Sequence, residues 1–315
     1  MVQRQVNRIG ERLSQRCELT MALNRGLGIW LGAAGGVLLA LLIQSGLLFN
    51  LADEGFLWYG VWRTGLGDIP VRDFQAYEPG RYYFCALLTR VFGEGPVGLR
   101  YAVGVFQFLT AALGLLALRR VVSSLPALWL TGAWVLAWMV PWYKAFEPGI
   151  ALAAVYVVLL LFEFPSARRF FLGGLFVGLA AFFGQNHGVY IGLAVLAAVF
   201  LAGRRDAGAA LRHRLGASGL GLALAILPLL SMALWVEGFW DGVLRRFEFI
   251  SSGATNLLLP VPWPWRTEGF WTHPGDFLQS LAMGLLFLVV PLSYLAVLGR
   301  AAYRAIRSGD RKSVV

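Results

Sequence analysis

Two adjacent carboxylates, Asp53 and Glu54, stand just after the first long apolar run of the chain. At the edge of a hydrocarbon layer such an acid is ionised at neutral pH. It can then take the proton of an attacking hydroxyl or amine. Arg72, Glu78 and Arg81 follow in the same polar segment, and a second polar stretch carries Lys144 and Glu147. Arg72, Arg81 and Lys144 are cations of the kind that hold a phosphate. Glu54, Glu78 and Glu147 could position a donor or an acceptor. Paired carboxylates also suit a hard divalent ion, Mg or Mn, with Asp53 and Glu54 as the candidate ligands. Each residue has a plainer use as well: helix-start acids for Asp53, Glu54 and Glu147, and headgroup anchors for the three cations.

The elements that must position these residues are apolar. Of 315 residues, 58% are hydrophobic and 14% charged, against about 25% charged in soluble domains. Mean hydropathy is +0.66. Too little polar surface remains to face water on all sides, which selects a membrane class. The 12 Trp and 22 Phe suit interfacial anchoring. Cys17 and Cys85 stand apart, so neither a disulfide framework nor a zinc site is expected.

A helical span needs about 20 apolar residues. Eight stretches qualify in outline: 27–49, 96–118, 125–142, 149–164, 170–184, 189–201, 215–236 and 277–298. The fourth, fifth and sixth are short. The first is too long for a signal-peptide core and lacks a small-residue cleavage site, so it is expected to remain as a span. The expected fold is all-α, a polytopic transmembrane helical protein of about eight spans with two structured external loops. It forms a single membrane domain, 1–315, with a cytoplasmic basic arm (1–26), a first external loop (51–95), a second (237–276) and a cytoplasmic basic tail (300–315).

Charge gives the direction. With both termini cytoplasmic, the arm, the tail and the short turns carrying Arg119, Arg120, Arg168, Arg169, Arg204, Arg205, Arg212 and Arg214 all lie inside. Most acids then fall outside. This is the positive-inside pattern, and it accounts for the net charge of +10 without a nucleic-acid partner. Both long loops are external. In the first, Phe56, Leu57, Trp58, Val61 and Trp62 recur at helical spacing before Gly65 and Gly67, which predicts an interfacial helix. Residues 81–92 predict another, with Tyr82, Tyr83 and Phe84 near lipid. In the second loop, 239–248 is amphipathic. Pro260, Pro262 and Pro264 then force an extended course, which reads as a membrane-anchored loop or as a lid.

These features together resemble the GT-C glycosyltransferases, notably the protein O-mannosyltransferase and aminoarabinose transferase families. The resemblance lies in Asp53-Glu54 after the first span, the interfacial helix, Arg72-Asp73-Phe74, and Glu78-Pro79 followed by aromatics. Gly95 with Arg100, and Lys144 to Pro148, add to it over residues 27–200. The resemblance implies a GT-C fold and an external active site. It implies transfer of a sugar from a polyprenyl-phosphate-linked donor to a glycan, lipid or protein acceptor, with Asp53 as general base. No cofactor is required, although a divalent cation is possible. The remaining alternatives are a non-catalytic GT-C-like scaffold subunit and a lipid-linked-sugar transporter. The scarcity of polar residues within the spans disfavours the transporter.

Overall fold

A computed structural model of the protein describes residues 26–44, 49–139, 142–202, 208–252, 263–264 and 273–310. The basic arm, the last five residues of the tail and most of the proline-rich stretch after Ser252 lie outside the described residues. The chain divides into two compact units, Met1–Arg246 and Phe247–Val315. Most of the described residues are helical, with one isolated bridge between Pro70 and Phe74 and no strand among them.

The first unit begins with α1 (Gly26–Gln44). Two helices of the first long loop follow, α2 (Asp53–Gly65) and α3 (Pro79–Phe92). Next come α4 (Pro96–Leu118), α5 (Leu125–Trp138), a 3-10 turn at Trp142–Lys144 and α6 (Phe146–Glu163). Then come α7 (Ala167–Phe183), α8 (Gln185–Ala202) and α9 (Gly208–Trp235). α10 (Phe239–Ser251) crosses the unit boundary, and the second unit contains α11 (Pro274–Asp310).

Local chemistry sets the boundaries. The Ser124 and Ser166 side chains accept the N–H groups of Ala127 and Arg169 at the starts of α5 and α7. Pro96 opens α4 where its missing N–H costs nothing. α4 is 23 residues long, about 35 Å of helix, enough to cross a hydrocarbon core of about 30 Å.

Among the described residues six helices are long and apolar enough to cross a membrane: Gly26–Gln44, Pro96–Leu118, Phe146–Glu163, Gln185–Ala202, Ala210–Trp235 and Pro274–Ser293. Two of the eight expected spans are shorter. α5 has 14 residues and α7 has 17, about 25 Å for the longer of the two. α7 lies against α9 at close range, because a Cβ on Gly174 or Gly178 would meet Ser218 or Ala225. The outward faces of α1, α8 and α9 expose Leu31, Leu42, Leu193, Phe200, Leu227 and Leu234. That apolar outside is what a lipid-facing bundle requires.

α2 and α3 pack at one end of α4, α6 and α7, around an aromatic core. Phe106 (α4) meets Phe146 (α6) at 4.8 Å and Phe183 (α7) at 5.4 Å between ring centroids, and Phe84 (α3) meets Phe106 at 5.7 Å. α3 therefore sits tight against the bundle. Tyr82, expected near lipid, is fully buried, and its hydroxyl accepts the Tyr77 N–H at 3.0 Å. Burial pushes its phenol well above the ordinary value.

Candidate functional site

The start of α2 decides where the two carboxylates go. Asn50, not an acid, caps it: its Oδ1 accepts from the Ala52 N–H at 3.0 Å and the Asp53 N–H at 3.2 Å. Asn50 Nδ2 also donates to Tyr143 Oη at 3.0 Å, tying α2 to the 3-10 turn that carries Lys144. Neither carboxylate makes a side-chain cap bond within α2, yet both stand in its first turn, as the helix-start reading of Asp53 and Glu54 expects. Successive helical residues point about 100° apart, so the two acids diverge.

Glu54 turns into the bundle and is 2% exposed. Arg100, from α4, grips it with Nε at 2.8 Å from Oε1 and Nη2 at 3.2 Å from Oε2. Arg100 Nη1 donates to the Gln44 carbonyl at 3.0 Å, and the Asn50 N–H supplies Oε2 with another bond at 3.2 Å. Glu54, expected to position a substrate or to share a metal with Asp53, thus stands apart from Asp53 in the fold. Its oxygens are held by Arg100, and it does not line the cavity that Asp53 lines. Among the described residues no group of three or more His, Cys, Asp or Glu side chains is placed to hold a metal ion.

Asp53 turns the other way. It lines a cavity of about 320 Å³ together with Leu57, Tyr77, Arg81, Tyr143, Lys144 and Glu147. Lys144 Nζ stands 3.5 Å from Asp53 Oδ2, and both side chains are open to solvent. Arg81, from the first turn of α3, is 5% exposed. Its Nη2 donates to Glu147 Oε1 at 2.9 Å, to the Phe183 carbonyl at 3.2 Å and, at the limit of range, to Glu78 Oε2 at 3.4 Å. The guanidinium lies over Tyr77 at 4.8 Å and Phe146 at 5.3 Å. Its Nε is buried without a hydrogen-bond partner. Gly80 permits this placement: a Cβ there would come within 2.6 Å of the Phe182 carbonyl.

Four of the expected residues, Asp53, Arg81, Lys144 and Glu147, thus share one cavity. Glu78 reaches it only through Arg81, and its other oxygen accepts from Arg246 Nη2 at 2.9 Å. Arg72 does not reach it. Asp73, next in the chain, takes its Nε at 2.7 Å and Nη2 at 2.8 Å in the exposed turn, so the phosphate role expected for Arg72 has no support in the cavity. Glu147 sits in the first turn of α6 without capping it.

Sequence reasoning missed Tyr77 and Tyr143, the aromatic part of the wall, and Arg246 behind Glu78. Tyr143 adjoins Lys144, so its proximity was available as a signal. Arg246 offered none beyond its place on an amphipathic stretch.

The wall carries two acids and two bases beside an aromatic and aliphatic face. Asp53 is open to an approaching proton donor, while Arg81 and Lys144 present positive charge to an anion. Compared with known proteins, the chain matches no family model, no curated protein and no solved structure.

Proposed function

We propose that the protein is a membrane glycosyltransferase of GT-C type that moves a sugar from a polyprenyl-phosphate donor to an acceptor on the external face. One observation supports this most: Asp53, Arg81 and Lys144, drawn from separate segments, meet in one cavity with an aromatic wall. In this reading α5 and α7 serve as short spans beside the six longer ones. The termini are cytoplasmic, following the arginine-rich ends, and the cavity opens outside.

The reaction follows from the charges. An acceptor hydroxyl or amine attacks the anomeric carbon, and its proton passes to the Asp53 carboxylate. The bond from that carbon to the phosphate oxygen breaks, and polyprenyl phosphate leaves with its electron pair. Arg81 and Lys144 stabilise the phosphate as its charge grows. Tyr77 and Tyr143 offer faces for a sugar ring. No metal enters any of these steps.

The test is transfer of a labelled sugar from a polyprenyl-phosphate donor by the purified protein in liposomes. Asp53→Asn should lower transfer by about 10²–10⁴-fold while thermal unfolding stays as in the parent protein. Equal transfer by the two proteins sinks the general-base role. A second reading has its own observation: each cavity charge already faces an opposite charge within the protein. A scaffold subunit would be built so, and Asp53→Asn would then leave the host pathway untouched.

A further inference from the structure

We infer that α10 is a bilayer-seated latch: its Trp240 and Leu244 face lies in the lipid interface, and Arg246 on the opposite face is a positioning residue that fixes Arg81 through Glu78. α10 follows at once on a candidate span. That span, Ala210–Trp235, ends at a Trp that is 80% exposed, as expected where a helix leaves hydrocarbon. The chain turns at Gly238, whose φ is +74°, and α10 begins at Phe239.

The two faces of α10 differ sharply. Phe239, Gly242 and Arg246 follow i, i+3, i+7 spacing and face the protein. Phe239 is buried, and Gly242 sits so close that a Cβ would meet the Val71 carbonyl at 2.2 Å. Arg245 donates to the Arg72 carbonyl at 3.4 Å. Trp240 and Leu244, one turn apart, are 59% and 58% exposed. An apolar face that continues directly from the end of a span is covered by the same bilayer.

Behind that face runs a chain of ion pairs into the cavity. Arg246 holds Glu78 Oε1 at 2.9 Å; Glu78 Oε2 faces Arg81 at 3.4 Å; Arg81 holds Glu147 at 2.9 Å. The Glu78 and Arg81 side chains are only 12% and 5% exposed, so water screens them little. Without Arg246, Glu78 keeps only the long contact with Arg81. Its charge then draws Arg81 away from Glu147 and changes the cation that the cavity presents. Only the consequence for a donor phosphate rests on the transferase reading.

The experiment uses the full chain in nanodiscs of zwitterionic and anionic phospholipid. In a Cys17→Ser background, with Cys85 buried, a fluorescent label at Leu244→Cys should be quenched by doxyl lipids and not by aqueous iodide. Quenching by iodide, or protection from both by a protein partner or a second copy, overturns the bilayer seat. The relay is read by phenylglyoxal modification of Arg81, followed by peptide mass mapping. Arg246→Gln should change the Arg81 rate severalfold, and Arg246→Lys, which keeps a charge for Glu78, should restore it. Equal rates in all three proteins overturn the relay. Titration with polyprenyl phosphate separates the two levels. Parent protein that fails to bind it removes the transferase reading, while labelling still decides the latch. Binding that Arg246→Gln leaves unchanged, with the Arg81 rate altered, removes the consequence of the relay for a donor phosphate.

Discussion

Asp53 and Glu54 are neighbours in the chain and opposites in the fold. Glu54 is closed in: one buried guanidinium takes both its oxygens, and the backbone of the preceding turn adds a further bond. Asp53 is open: it meets a single flexible ammonium at 3.5 Å across a solvent-reached cavity. The same chemical group is thus a structural tie at one position and an open carboxylate in a cavity wall at the next. The difference comes from the angle between successive helical residues and from what stands opposite each. A buried pair is costly to break because the survivor is left as an uncompensated charge. An exposed pair contributes little to stability, so its members are free for other work.

The largest effect expected from this contrast is on folding. Glu54→Ala takes from Arg100 the carboxylate that balances its charge between α1 and α4, and should destabilise the protein by about 3–5 kcal/mol. Thermal unfolding in detergent micelles reads it. Glu54→Met combined with Arg100→Met should recover most of the loss, since both charges then go together. Asp53→Asn is the matched control, with a melt close to the parent protein. A melt of Glu54→Ala as high as that of Asp53→Asn would erase the distinction drawn between the two acids.

A smaller effect should come from how the open cluster is held. The exposed Asp53–Lys144 pair contributes little rigidity of its own; the backbone seat of α3 supports the ion pairs that hold Arg81. Gly80 lies over the Phe182 carbonyl with no room for a Cβ, and Arg81 next to it bonds the Phe183 carbonyl. Gly80→Ala should lift the start of α3 and cost about 1–3 kcal/mol, as overpacking does. The same melt measures it. An unchanged melt would mean that α3 yields without loss, and that the ion pairs hold Arg81 without help from the backbone seat.

Much of this architecture was legible in the residues. Apolar length gave the six long helices, and 3.6-residue spacing gave α2, α3 and α10. α6 and α8 gain residues over the apolar runs at their N-terminal ends. Gln185, Asn186 and His187 are polar yet enter the first turn of α8, where free N–H groups want such neighbours. The fates of Asp53 and Glu54 were not legible. Glu54 is claimed by an arginine 46 residues away, and nothing local announces it. The same holds for Arg246, which finds Glu78 across 168 residues. Partners of that kind are set by how helices dock, which periodicity does not encode. Arg72 stands outside the cavity for the reverse reason: its partner is the very next residue, and a local pair holds it in the turn.

That local pair marks the exposed end of the comparison and yields the smallest prediction. Asp73 accepts from Arg72 and also from the Ile69 N–H at 2.8 Å, closing the turn in which Val71 holds a positive φ of +77°. The Arg72 guanidinium keeps the Asp73 carboxyl below the usual carboxylate range, with the Ile69 N–H helping. A carboxyl whose folded value is lowered contributes stability above its unfolded value of about 3.9, and the contribution is lost as pH falls below that toward the lowered value. The turn should therefore loosen only in acid, and slightly, because water screens the pair. Amide hydrogen exchange at Ile69, corrected for its intrinsic rate, should lose protection below about pH 4. Asp73→Asn should show reduced protection already at neutral pH and no acid step. An acid step of equal size in both proteins would transfer the effect to some other carboxylate, and this turn would no longer mark the weak end of the series that Glu54 heads.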